Sequence, residues 1–188
     1  MKKKSCRILG ALCAACLMMG CGSSVGEIAP KDMREDAETV RVMTYNVCGW
    51  DYKNIQNLVP KLILEYSPDL AGMQECTYDW YKKFTKEMPE YGFIGVGRDT
   101  GDMNFEKNSE YYNVITDAGF LDAQDLAADT MDGITCPTER GGTIGEHIDY
   151  VFFNEKITKV LTYKILRDSY EGKYPSDHYA IYVDFKFQ

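Results

Sequence analysis

Two hydrophobic periods alternate through the first half of the chain, and a fold that accepts both must stack helices on a sheet. Val40 to Val47 (VRVMTYNV) alternates and is rich in β-branched and aromatic residues, which predicts a strand ending at Asn46 and a turn around Cys48-Gly49-Trp50. Ile55, Leu58, Val59, Leu62, Ile63 and Tyr66 then recur at helical spacing. Pro60 is compatible with that helix if Asn57 caps its start and Pro60 falls in its first turn. Ser67-Pro68-Asp69 ends the helix, and the apolar run Leu70 to Gln74 predicts a buried strand that delivers Glu75 to its C-terminal end. Thr77 can cap a second helix whose Trp80, Tyr81, Phe84 and Met88 share one face, and Tyr91 to Gly97 returns as a strand. The order β-α-β-α-β predicts an α/β domain.

The rest is richer in strands. After a loop-like stretch from Arg98 through Asp102-Met103-Asn104, Ser109 to Asp117 reads as a helix closed by Gly119. His147 to Phe153, Ile157 to Leu166 and Tyr179 to Phe187 carry strand residues, the last in clear alternation.

The N-terminus belongs to a different class of signal. Three lysines and Arg7 precede the apolar stretch Ile8 to Met19, which is shorter than the ~20 residues of a membrane-spanning helix and ends in small residues at Gly20-Cys21-Gly22-Ser23-Ser24. Residues 1–20 thus read as an export signal. The run Leu17-Met18-Met19-Gly20-Cys21 resembles a bacterial lipobox, which implies lipidation of Cys21 and a protein held at a membrane surface; a plain secretory signal is the alternative. Residues 21–39 read as a polar tether and residues 40–188 as one domain.

Once the signal is set aside, Cys48, Cys76 and Cys136 remain, an odd number without a CxxC pair. That is neither a disulfide framework nor a zinc site. The signal also takes four basic and no acidic residues, so the formal charge moves from −8 to −12. Such a balance weighs against duplex nucleic acid, which needs a lysine and arginine stripe, and suits a small phosphorylated substrate met through a bound cation.

Most expected strand ends hold a group able to bind a cation or phosphate: Asn46, Glu75, Asp102 with Asn104, Asp149, and Asp177-His178. Carboxylate and amide oxygens suit a hard cation such as Mg²⁺ or Mn²⁺. Taken singly, each residue also has a plain structural use, as a turn residue, an exposed end or a packed imidazole.

In order along the chain, TYN (44–46), GMQE (72–75), GDMN (101–104), HIDYVF (147–152) and SDH (176–178) resemble the motif series of the endonuclease/exonuclease/phosphatase family. The resemblance implies a four-layer α/β/β/α sandwich with its site at the strand ends. It implies Glu75 as the principal metal ligand, with Asn46 beside it, contacting the metal through water or holding the ligand in place, and Asp177 close to the ion. Asp102 would orient and deprotonate the attacking water, and Asn104 would donate its amide to the phosphate or the nucleophile. His178 would stabilise the transition state, its imidazole fixed by Asp149. It also implies a long segment with several strands and an Asn-x-His motif between Gly97 and the GDMN motif. Here Thr100-Gly101 leads straight into that motif, and the histidines are His147 and His178 alone. The expectation is an incomplete sandwich, truncated internally near residues 98–102, with exposed sheet edges and a weakened site.

Three functions remain open on these residues: an exported metal-dependent phosphoesterase, a catalytically impaired surface lipoprotein that binds a phosphorylated or sugar ligand, and a nuclease. A monomer is expected in each case.

Overall fold

Val40–Asn46 forms β1, the strand around which the rest is arranged. It pairs in parallel with β2 (Leu70–Gln74) and antiparallel with β8 (Ala180–Phe187), which pairs antiparallel with β7 (Ile157–Leu166). The sheet order is β2-β1-β8-β7. The structure, a computed structural model, describes residues 31, 34, 36–92, 102–154 and 157–187.

Helices cover one face of this sheet. The helical stretch over residues 55–66 is broken in two: α1 (Tyr52–Ile55) stops, and α2 (Leu58–Tyr66) begins after Asn57. Pro60 is the cause, because it has no N–H to give the carbonyl of Gln56 and its ring crowds that carbonyl, while in the first turn of α2 it is harmless. From α2, Val59, Leu62, Ile63 and Tyr66 pack with Trp80, Phe84 and Met88 of the α3 region onto Met43, Tyr45 and Tyr182 of the sheet, α3 being Tyr78–Glu87. Tyr81, expected on the same face, is 48% exposed; it lies one residue, or about 100° of helix, round from Trp80.

The opposite face carries Tyr163, Ile165, Ile181, Val183 and Phe185, packed against Ala123 and Phe153. Short elements cover it in place of a full second sheet among the described residues. After α4 (Glu110–Asp117) come β3 (Leu121–Asp122), α5 (Ala123–Leu126), β4 (Cys136–Pro137), β5 (Gly145–Glu146) and β6 (Phe152–Phe153). They pair as β3-β6 and β4-β5. Helix α4 starts at Ser109, whose hydroxyl accepts from the Tyr112 N–H.

The strand expected over His147 to Phe153 shrinks to β6. The N–H groups of Ile148 and Asp149 both go to Thr135 Oγ1, so these amides serve a side chain instead of a ladder. β2 is also not the buried strand expected: it has β1 on one side, and Leu70 is 65% exposed. From Phe93, the expected strand over Tyr91 to Gly97 lies outside the described residues, as does the Gly97–Gly101 junction.

Part of the expected tether is fastened to the domain. Lys31 N–H donates to Glu65 O and its ammonium pairs with Glu65 and Asp168 at 2.8 and 2.7 Å. Arg34 pairs with Asp69 at 2.7 Å, and Asp36 with Lys186. Among the described residues no helix is long and apolar enough to cross a membrane, and Cys48, Cys76 and Cys136 are free thiols.

Candidate active site at the strand ends

The parallel pairing of β1 and β2 puts their C-terminal ends side by side, with Asn46 opposite Gln74. The Asn46 carboxamide donates to Glu75 Oε1 at 3.2 Å and, more loosely, to Asp102 Oδ2 at 3.4 Å, while its own Oδ1 accepts from the Cys48 N–H at 3.0 Å. Asn46 therefore meets both carboxylates as a donor, and it holds Glu75 in place as the resemblance allowed. The second oxygen of Glu75 accepts from the Gly49 N–H at 2.9 Å. Glu75 itself has a left-handed backbone, φ 55°. Such a conformation costs about 1–3 kcal/mol for a residue with a side chain and persists where the surroundings enforce it. Gly49 helps enforce it: a Cβ there would stand 2.5 Å from Glu75 O.

Facing this pair, Asp102 and Asp149 meet in an isolated antiparallel bridge. His178 Nδ1 lies 2.9 Å from Asp149 Oδ2, and its Nε2 lies 3.7 Å from Asp102 Oδ2. A carboxylate can only accept, so Nδ1 carries the proton and Nε2 faces inward. Burial works against charge on His178, but the Asp149 hydrogen bond and the charges of Asp149, Asp102 and Asp177 outweigh it and raise its pKa above 6.5. Burial and the Asp149 charge raise Asp102 above 3.8, partly opposed by the Asn104 N–H, His178 and the Asn46 amide.

Two hydroxyls tie the halves together. Ser176 donates to Asn46 O at 2.7 Å and accepts from the His178 N–H at 3.2 Å, so β1 and the start of β8 are pinned to each other beneath the site. Thr135 positions Asp149 through the amides described above. Ser176 falls within the SDH motif, but nothing in the sequence around Thr135 marks it. Arg140 carries no motif either; it pairs with Asp51 and points Nη2 at Cys48 Sγ, 3.3 Å away.

Asn46, Glu75, Asp102, Asp149 and His178 thus form one network. Asp177 joins it through Ser176, 3.1 Å from its Oδ1, and through the Cys48 thiol. Asn104 is exposed and enters by its backbone, with φ 49° and its N–H donating to Asp102 Oδ1 at 3.0 Å. His147 stands apart, its ring between Gly133 O and the Tyr163 hydroxyl.

A hard cation fits these residues. Asp102, Asp149 and His178 offer ligand atoms within 4.8 Å of one another, and Asp149 Oδ1 is buried without a hydrogen-bond partner. A buried carboxylate oxygen left bare is costly unless a cation meets it. The donors are mainly oxygen, which excludes a thiolate-type site.

No family model and no curated protein matches the sequence. Solved structures do match. The chain is similar to an endonuclease/exonuclease/phosphatase family protein from Bacteroides thetaiotaomicron, with a TM-score of 0.70 and 15% identity, covering 80% of this chain and 98% of that one. It is also similar to the mannosyl-6-phosphatase Bt3783 of Bacteroides thetaiotaomicron VPI-5482, with a TM-score of 0.69 and 15% identity over 79% of this chain and all (100%) of that one. A truncated TDP2 from Caenorhabditis elegans follows with a TM-score of 0.58 and 15% identity, covering 80% and 98%. The fold is the mixed α/β fold of endonuclease/exonuclease/phosphatase proteins.

Proposed function

We propose that this protein is an exported, metal-dependent hydrolase of phosphate esters that acts on a small phosphodiester or phosphomonoester by direct attack of water. The observation that carries the reading is the convergence of Glu75, Asp102 and the Asp149–His178 pair on the Asn46 amide and the hydroxyl of Ser176. Glu75, with Asp102 and Asp177 nearby, would hold Mg²⁺ or Mn²⁺, which when bound supplies charge to offset the phosphate and to acidify water.

The chain's own groups do the rest. Asp102, with its raised pKa, is a better base than an ordinary carboxylate and takes the proton of the attacking water. His178, held by Asp149 and favoured as imidazolium, presents a proton at Nε2 to a phosphoryl oxygen. Asn46 keeps Glu75 and Asp102 apart yet aligned, and Asn104 fixes Asp102 through its N–H. A mannosyl-6-phosphatase among the structural neighbours supports a phosphomonoester over a nucleic acid, as does the acidic balance of the chain. Lipidation at Cys21 would hold the domain at a bacterial membrane surface.

The test is hydrolysis of simple phosphate esters by the mature domain with Mg²⁺, compared with Glu75→Ala and His178→Ala. Equal rates for the three proteins would overturn the proposal. A second reading, a lipoprotein that binds a phosphorylated ligand without turnover, rests on the histidines: His147 is committed to Gly133 and Tyr163, so no second imidazole reaches the site among the described residues. Metal-dependent binding with no product over long incubation would favour it.

A further inference from the structure

The two halves of the site come from distant stretches of chain, and one hairpin touches both. β4 and β5 are joined by residues 138–144, a loop closed by the Thr138 N–H on Ile144 O at 2.8 Å and the Gly142 N–H on Glu139 O at 2.7 Å. The base of this hairpin holds the Asp149–His178 half. Thr135, just before β4, takes the Asp149 N–H on its hydroxyl and the Tyr179 N–H on its carbonyl, the latter at 2.7 Å. The Tyr179 hydroxyl returns to Gly142 O at 2.8 Å.

The tip of the hairpin reaches the Glu75 half through Arg140. Its Nη1 donates to Asp51 Oδ2 and its Nη2 lies 3.3 Å from Cys48 Sγ, so one guanidinium grips both ends of the turn that contains Gly49 and Trp50. The Trp50 ring centroid is 5.5 Å from it. The turn needs holding, because Cys48 has a left-handed backbone, φ 54°, and the closing bond from the Asp51 N–H to Cys48 O is 3.2 Å. Asn54 holds the other Asp51 oxygen. From this turn the Gly49 N–H donates to Glu75 Oε2, and Asp177 neighbours the Cys48 thiol.

We propose that Arg140 is a positioning residue: by gripping Cys48 and Asp51 it aims the Gly49 N–H at Glu75 and fixes the metal-binding end of the site against the Asp149–His178 end. The proposal rests on the hydrolase reading for what Glu75 binds, and it adds the residue that ties the two ends together. A guanidinium suits the task because its planar fork offers separate N–H groups in fixed geometry, where an ammonium is a single point of charge.

Amide hydrogen exchange of the metal-free protein, followed by NMR, and calorimetric titration with Mg²⁺ compare the unaltered protein with Arg140→Ala and Arg140→Lys. In both variants the Gly49 amide is expected to exchange about tenfold faster while the amides of β1 and β8 are unchanged, and Mg²⁺ is expected to bind about tenfold more weakly. Arg140→Lys keeps a positive charge near Asp177 and loses the fork, so it decides the matter if Arg140→Ala fails to fold. Gly49 exchange or Mg²⁺ affinity equal to that of the unaltered protein in Arg140→Lys overturns the proposal. So does faster exchange spread evenly over the sheet, the mark of a merely structural role. If the unaltered protein takes up no Mg²⁺, the hydrolase reading falls and Gly49 exchange alone decides whether Arg140 positions this turn.

Discussion

Asn46 and Glu75, 29 residues apart, meet through one hydrogen bond of 3.2 Å at the ends of two parallel strands. That bond sets the orientation of the carboxylate on which the site depends. Asn46→Ala is expected to lower hydrolysis about 10–100-fold, as for other groups that orient a metal ligand, with little change in far-ultraviolet circular dichroism. Rates within twofold of the unaltered protein would show that Glu75 needs no such support.

The pH dependence follows from two raised groups. Activity needs Asp102 ionised and His178 protonated, so the rate falls as acid protonates Asp102, at a pH above its usual 3.8, and falls again as His178 loses its proton, at a pH above 6.5. Asp149→Asn leaves an amide oxygen to accept from Nδ1 but removes the charge that helps to raise His178, and the alkaline limb should move to lower pH. A pH–rate profile of the two proteins tests the direction of the move.

Metal addition should stabilise as well as activate. Glu75 and Asp102 bring two carboxylates to one Asn46 amide, with Asp149 close by, and a bound cation would offset their mutual repulsion, so Mg²⁺ is expected to raise Tm and chelation to lower it. Differential scanning fluorimetry with Mg²⁺ and with EDTA should show the shift in the unaltered protein and a smaller one in Glu75→Gln.

Arg41 and Asp184 form a bidentate pair between β1 and β8, at 2.7 and 2.6 Å, with the guanidinium over the Tyr182 ring. Removing one partner leaves the other charged and buried, so Asp184→Ala should cost about 3–5 kcal/mol in urea denaturation. Arg41→Met with Asp184→Leu should recover much of that loss.

Lys31 is held by Glu65 and Asp168, although the sequence places it in a tether. Asp168→Ala should speed trypsin cleavage after Lys31 while leaving hydrolysis unchanged, which mass spectrometry of timed digests reads directly.

The chain's local patterns made β1, β2, α2, α3, α4, β7 and β8 legible, because each has a period of its own and buries a stripe or face. The motif order also names Asn46, Glu75, Asp102, Asp149 and His178, which the fold brings into one network. Misreadings came where neighbours overrode the local pattern. His147 to Phe153 has strand residues throughout, yet Thr135 takes the amides that a strand would use. Leu70 to Gln74 is apolar enough for a buried strand, yet among the described residues only β1 pairs with it and Leu70 is exposed.

Sequence by itself determined the alternation of strand and helix in the first half and that Asn46 and Glu75 stand at the ends of β1 and β2. These depend on residues within a few positions of one another along the chain. Tertiary structure alone decided that Thr135 and Ser176 support the site, that Arg140 lies over Trp50, and that Lys31 and Arg34 bind the domain. Those contacts join residues far apart in the chain, and only the packing of β1 against β2 and β8, with helices on one face, brings them within hydrogen-bond reach.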